Sequence, residues 1–325
     1  MPLSRRTLIA SAAATIAAPA IATAQAPWPT KPIRLLIPFA PGGTSDILAR
    51  LFQPRLQEAF GQPVVVENRP GANGTIAVDM VAKAAPDGTT LVLTDLGAVA
   101  ISPSVMKLPF DLGKDFASVS VLVYSPHILA VYPETPYKSA AELIAYAKAN
   151  PGKLNNATAG LGSAPHLASA RFALELGLSW INIPLKGGAE AIQQVIGGHA
   201  DLLFNGMVAT LPHVKSGKLR GLAVSSAQRH EQAPDLPTIG EAAGLKDFVT
   251  GSWQGVLAPA GTPAAITGRL HAEIGKIAAL PDVAQRLKEL GAEPVMMRPA
   301  DSDAWLQAET GRWAKVVKET GIKLE

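Results

Sequence analysis

Four short segments hold the residue types and spacings that could do chemistry: Gly42-Gly43-Thr44-Ser45, Gly71-Ala72-Asn73-Gly74-Thr75, Gly160-Leu161-Gly162-Ser163 and Lys186-Gly187-Gly188. Each follows a run of aliphatic and β-branched residues and precedes a helical pattern. Glycine lets backbone N–H groups approach a bound group with no side chain between them, and a helix start adds unpaired N–H groups and partial positive charge. The chemistry this favours is the holding of an anion. Any one loop is also ordinary turn and cap chemistry, but four of them spread over two halves of the chain argue together for a binding site. Lys186 is the candidate charged contact to a carboxylate, and is equally readable as a solvated lysine at a helix start. Asp46 cannot itself attract an anion and is expected to brace the first loop. Thr94 ends a strand and joins the candidate set, as does Asn205, whose amide ends a later strand and could donate across a cleft.

Other chemistries find less support. Ser163 and His166 lie three residues apart on one helical turn, with no Gly-x-Ser-x-Gly elbow, which is not how a nucleophile and its base are arranged. An enzyme would have to draw on Asp46, Asp95, His166 and Lys186. The six histidines lack metal-ligand spacing and read as scattered surface or capping residues, except His166 in the first turn of a helix. Gly71-x-x-Gly74 lacks the third glycine of a dinucleotide fingerprint, and there is no Gly-Lys-Ser/Thr phosphate loop, so neither a cofactor nor a metal is expected. With no cysteine, disulfides and thiolate chemistry are excluded. Lys+Arg 29 against Asp+Glu 26, without a basic stripe, gives no surface for nucleic acid.

The elements that must position these loops alternate as an α/β protein does. Strands are expected at 33–39, 63–67 and 89–94, each leading into a helix start. A second set follows: a helix at 136–150, a strand at 155–159, a helix running to Leu176, a strand at 181–185, a helix at 187–196, a strand at 200–204, a helix at 208–216 and a strand at 219–224. After a turn-rich stretch comes a strand at 253–257. The tail from Ala264 reads as helical, with a strand-like break near 294–297, and is expected to pack back on the first sheet. The chain would then cross between two lobes twice, near 119–127 and 251–259. Trp253, Trp305 and Trp313 read as core residues. Ahead of all this, Arg5-Arg6, an apolar run over 8–21 and Ala22-Thr23-Ala24 read as an export signal, cleaved near Ala24 and too short for a bilayer of about 30 Å. The arginine pair fits a twin-arginine leader and an ordinary secretory leader equally well.

Several ordered motifs carry a resemblance: Pro38-Phe39-Ala40-Pro41-Gly42-Gly43-Thr44-Ser45-Asp46, Glu67-Asn68-Arg69-Pro70-Gly71-Ala72-Asn73-Gly74, Pro151-Gly152-Lys153-Leu154, Gly162-Ser163 with His166-Leu167, Lys186-Gly187, Trp253-Gln254-Gly255 and Ala258-Pro259-Ala260-Gly261-Thr262-Pro263. The chain resembles the substrate-binding proteins of the tripartite tricarboxylate transporter family, the TctC or Bug-type receptors, over residues 28–325. That resemblance implies a type II periplasmic-binding-protein fold, with lobe 1 at 25–124 and 251–325, lobe 2 at 125–250 and a signal at 1–24. It implies a monomeric, non-enzymatic periplasmic receptor for a small organic anion, such as a di- or tricarboxylate, an aromatic acid or an acidic amino acid. Its partners would be the large and small membrane subunits of a transporter, or a membrane signalling protein. Carried over by motif, Gly42, Gly43, Thr44 and Asn73 would hold the ligand from lobe 1, and Ser163, His166, Lys186, Gly187 and Asn205 from lobe 2. Asn205 stands where the family commonly has Asp, and Leu185 where Tyr is common. Loss of that acid would favour a ligand without an ammonium group.

Overall fold

The computed structural model describes residues 28–320, so the expected export signal lies outside the described residues. The first strand, β1 (Ile33–Ile37), feeds α1 (Thr44–Phe60), which stops at Gly61 with φ +63. Glycine accepts this left-handed geometry without the Cβ clash that other residues incur. Next come β2 (Val64–Asn68), a single 3-10 turn (Ala72–Gly74), α2 (Thr75–Ala82), β3 (Thr90–Asp95) and α3 (Leu96–Val105). The three strands pair in parallel in the order β2-β1-β3. The C-terminal ends of all three strands therefore face the same way, and the turn after each opens on one edge.

β4 (Phe116–Val131) then runs for 16 residues through two sheets. Up to Pro126 it pairs antiparallel with β9 (Gly251–Pro259), which itself pairs antiparallel with β3. From His127 it pairs instead with β7 (Leu202–Gly206) and β8 (Arg220–Val224). The second sheet is completed by β5 (Asn155–Thr158) and β6 (Ile181–Pro184), parallel to each other. Around it lie α4 (Ala140–Ala149), α5 (Ala164–Leu176), α6 (Gly188–Ile196) and α7 (Met207–Lys215), and past β8 a short α8 (Ile239–Ala243). The sequence pattern does not announce β4 as one strand, because it is buried along nearly its whole length and shows no alternation of apolar and polar residues.

Beyond β9, α9 (Ala264–Ala278) and α10 (Pro281–Glu289) return to the first sheet: Ile274 and Leu287 share a core with Leu35, Ile37 and Phe52. The short β10 (Glu293–Pro294) pairs with β4 at Tyr124 and Val123, where the sequence suggests a strand-like break. α11 (Pro299–Thr320) covers the opposite face through Leu306, beside Leu36 and Val92. The second sheet has its own two cores, one around Phe172 and Phe204 and one around Ile192 and Leu203. Each sheet is thus covered on both faces, as parallel strands require. Among the described residues no helix is long and apolar enough to cross a membrane.

Candidate functional site

The two lobes meet loop against loop. Ala40, after β1, donates its N–H to the carbonyl of Lys186, after β6, at 3.3 Å. A Cβ placed on Gly187 would lie 3.1 Å from Phe39 Cβ, one on Gly42 3.7 Å from Ala189 Cβ, and one on Gly160 3.2 Å from Asn73 Oδ1. The four glycine-rich turns singled out by composition therefore face one another across a closed cleft, and their lack of side chains is what permits this approach.

The first turn is held from behind. The Asp46 carboxylate, 3% exposed, accepts the N–H of Gly42 at 2.9 Å, Asn68 Nδ2 at 3.0 Å and Arg50 Nε at 3.0 Å. Asn68 Nδ2 also donates to the carbonyl of Phe39 at 3.0 Å. Burial alone would raise this carboxyl, but Arg50, Gly42 and Asn68 together hold it below the ordinary aspartate range. Asp46 is thus satisfied inside lobe 1 and uses up the Gly42 amide. The first helical bond of α1 is Ile47 N–H to Gly43 O at 2.9 Å, so Thr44, Ser45 and Asp46 are the amides that precede it. Ser45 Oγ donates to Gln254 Oε1 at 2.7 Å, which ties the start of α1 to β9.

Asn73 faces the cleft with unmet needs. It sits in left-handed geometry at φ +51, and both its Nδ2 and its Oδ1 are buried without a partner. Such an orphaned amide calls for a bound group. From the other lobe, Ser163 Oγ caps α5 by accepting the His166 N–H at 3.3 Å, and His166 Nδ1 accepts the N–H of Gly162 at 3.2 Å. Burial lowers His166 to about 4, so its ring is neutral with the proton on Nε2. Its ring is therefore not Ser163's base. Asn205 turns its Nδ2 to Thr210 Oγ1, 3.1 Å away in its own lobe, and its side chain fills the space where a Cβ of Gly188 would stand. Lys186 is exposed and meets lobe 1 through its backbone; its N–H donates to Glu190 at 2.8 Å. Thr94 is buried at the end of β3, in register with Gly255. Thr44 directs its Oγ1 at Gly206.

The loops that open α1, α2, α5 and α6 thus meet between the lobes, with the unpartnered Asn73 amide among them. Helix starts of this kind suit an anion held by dipoles and hydrogen bonds rather than by a buried counter-charge. Among the described residues, no group of three or more His, Asp or Glu side chains is placed to hold a metal ion.

The family model described as "Tripartite tricarboxylate transporter family receptor" matches residues 48–322. The chain belongs to that receptor family. Its structure is similar to the periplasmic binding protein BugD, at 34% identity and TM-score 0.87 over 91% of this chain and 99% of that one. It is similar to Rpa4515 of R. palustris with adipate, at 36% identity and TM-score 0.87 over 91% and 99% of the two chains. It is also similar to MatC of Rhodopseudomonas palustris with bound malate, at 33% identity and TM-score 0.84 over 89% and 100%. The fold is that of the type II periplasmic binding proteins, two αβ lobes joined by two strand crossings with the cleft between.

In this family member, sequence reasoning overlooks a polar chain at the crossing. His127 is fully buried, not the surface or capping residue its spacing suggests. Its Nδ1 lies 3.1 Å from Thr250 Oγ1 and its Nε2 3.4 Å from Ser252 Oγ. Burial pushes His127 down to about 3. Asp95 caps α3 through Gly97 N–H at 3.0 Å and accepts Trp253 N–H at 3.2 Å; burial pushes it up to about 6. A residue adjoining proline within a crossing segment was the one available signal. A separate groove of about 1280 Å³ opens beside the crossing, lined by Tyr124, Trp253, Trp305, Trp313, Arg171 and Arg312. None of the expected site residues lines it, and its three guanidiniums, those of Arg171, Arg229 and Arg312, are paired with Glu175, Glu241 and Glu309. The Trp253 and Trp305 rings meet at 5.2 Å and 45°, and with Trp313 they are half-buried along this groove rather than enclosed in the core as the sequence suggests.

Proposed function

We propose that this protein is a periplasmic receptor that closes its two lobes on a small dicarboxylate and hands it to the large and small membrane subunits of a tripartite tricarboxylate-type transporter. It is not an enzyme. The observation that carries this reading is the unpartnered amide of Asn73 at the meeting of amide-lined loops from both lobes. Adipate and malate, held by relatives of this fold, supply the ligand class. Gly43, Thr44 and Asn73 contact it from lobe 1, and Ser163, His166 and Gly187 from lobe 2, in part through ordered water. Gly42, Asp46 and Asn205 shape the loops, Thr94 backs the site, and Lys186 adds positive potential at the rim. Lobe 1 comprises 25–124 and 251–325 and lobe 2 comprises 125–250. The change of pairing partners in β4 at Pro126 and His127 supports this division. The leader at 1–24 directs export to the periplasm, where the protein acts as a monomer.

Closure follows from population shift: ligand touches both lobes only in the closed form and so stabilises that form. The test is a thermal-shift screen of ligand-stripped protein against adipate, malate, a tricarboxylate and glutamate. A ligand at 100 times its Kd adds about 2.7 kcal/mol. A rise with adipate or malate, larger than with glutamate, is the expected result; stabilisation by none of them overturns the ligand class. Recovery of the bound acid unchanged by mass spectrometry after long incubation is expected of a receptor, and a converted acid would make the protein an enzyme.

A further inference from the structure

Three glycines of lobe 2 rest directly on lobe 1: Gly160 on Asn73, Gly187 on Phe39 and Gly206 on Thr44. The first two adopt φ +122 and +139, where the backbone itself calls for glycine. Gly206 differs. At φ −57 and ψ 135 its backbone suits any residue, and the demand for glycine comes from across the cleft. A Cβ there would stand 2.9 Å from Thr44 Oγ1, with Ser252 Oγ next at 3.5 Å. Thr44 opens α1 and is branched at Cβ, so clearing its hydroxyl from Gly206 takes a change of χ1 rotamer that swings its methyl as well.

We propose that Gly206 is the positioning residue that permits lobe closure: its missing side chain is the seat for the Thr44 hydroxyl, and a single methyl there holds the lobes ajar. The proposal rests on the receptor reading above. Opening carries Thr44 away from Gly206, so the methyl penalises the closed form and leaves the open form untouched. Because ligand is bound by the closed form, its affinity falls by the same factor as the closed population.

The absence of cysteine allows a clean readout of closure without any ligand. In the closed form the Cβ positions of Gly42 and Ala189 are 3.7 Å apart, within the span of about 3.5–4.5 Å that a disulfide bridges. In a Gly42→Cys/Ala189→Cys protein, the rate of disulfide formation reports how often the lobes meet. Any strain from Cys at position 42 is common to every version compared. Adding Gly206→Ala is expected to slow cross-linking about tenfold, equivalent to about 1.4 kcal/mol, and further adding Thr44→Ala to restore it. On the cysteine-free protein, Gly206→Ala is expected to weaken adipate binding by a similar factor while leaving the ligand-free melting temperature in place. An unchanged cross-linking rate, a parent pair that never cross-links, or a ligand-free Gly206→Ala protein that melts well below its parent would each overturn the proposal. If adipate and the other acids do not bind the parent but Gly206→Ala still slows cross-linking, the ligand class fails and the closure seat stands. If adipate binds both versions equally and cross-linking does not change, only the closure seat fails.

Discussion

Asn73 is the residue in which conformation and chemistry conflict most plainly. It accepts a left-handed backbone at φ +51 and hides an amide with no partner, two costs that the proposed carboxylate would offset in part. Asn73→Gly removes the amide and relaxes the backbone together. The expected outcome is a ligand-free protein at least as stable as the parent, with affinity for adipate about tenfold lower by calorimetric titration. Two buried histidines set a second prediction. His127 and His166 titrate near 3 and 4 in the folded protein against 6.5 when unfolded. Between those values the unfolded chain binds protons that the folded chain refuses, so their contribution to stability is lost as pH falls from about 6.5 towards 4. Asp95, raised from 3.8 to about 6, works the other way, because its buried carboxyl keeps a proton the unfolded chain has released. Two groups outweigh one. Melting temperature should therefore fall with acidification over this range, and His166→Gln should flatten the slope measured at constant ionic strength. At this scale the sequence picks out the loops that meet between the lobes, through glycine beside hydroxyl residues. It does not reveal which donors remain free: Gly42 is taken by Asp46, which leans on Asn68 22 residues away, and Ser45 is anchored to Gln254 209 residues away.

The two strands that pass between the lobes are the elements on which the molecule turns. They come together at Pro126 and Gly251, and a Cβ on Gly251 would lie 2.3 Å from the Tyr124 ring and 2.7 Å from the Ser125 carbonyl. These neighbours are fixed by strand pairing rather than by lobe position, so no movement of the lobes relieves them. Gly251→Ala should lower the urea midpoint by the equivalent of about 1–3 kcal/mol with or without ligand, a constitutive loss of the kind overpacking produces. The short strands of both sheets are legible within a few residues because Gly and Pro punctuate them. β4 escapes notice for a physical reason: burial on both faces erases the period-2 signal, and Pro126 looks like a stop when it lies at the change of partners. The five-residue α8 is hidden in a turn-rich stretch, although its Thr238 and Glu241 form a complete capping box.

For the whole molecule, most of the apolar surface is buried in cores that belong to one sheet or the other, while Ile101 with Ala164 and Leu167, and Val208 against the first sheet's core, join the two lobes. The proposed opening would separate these contacts and leave the cores within each sheet intact. The single N–H of Ala40, bonded to the Lys186 carbonyl across the cleft, is then a natural clock. Its deuterium uptake is gated by domain parting, whereas amides such as Leu129, inside the second sheet, exchange only when that sheet itself opens. Adding adipate should slow exchange at Ala40 in proportion to occupancy and leave Leu129 unchanged, as followed by peptide-resolved mass spectrometry. One backbone proton, with no label and no substitution, thus keeps time for the whole machine.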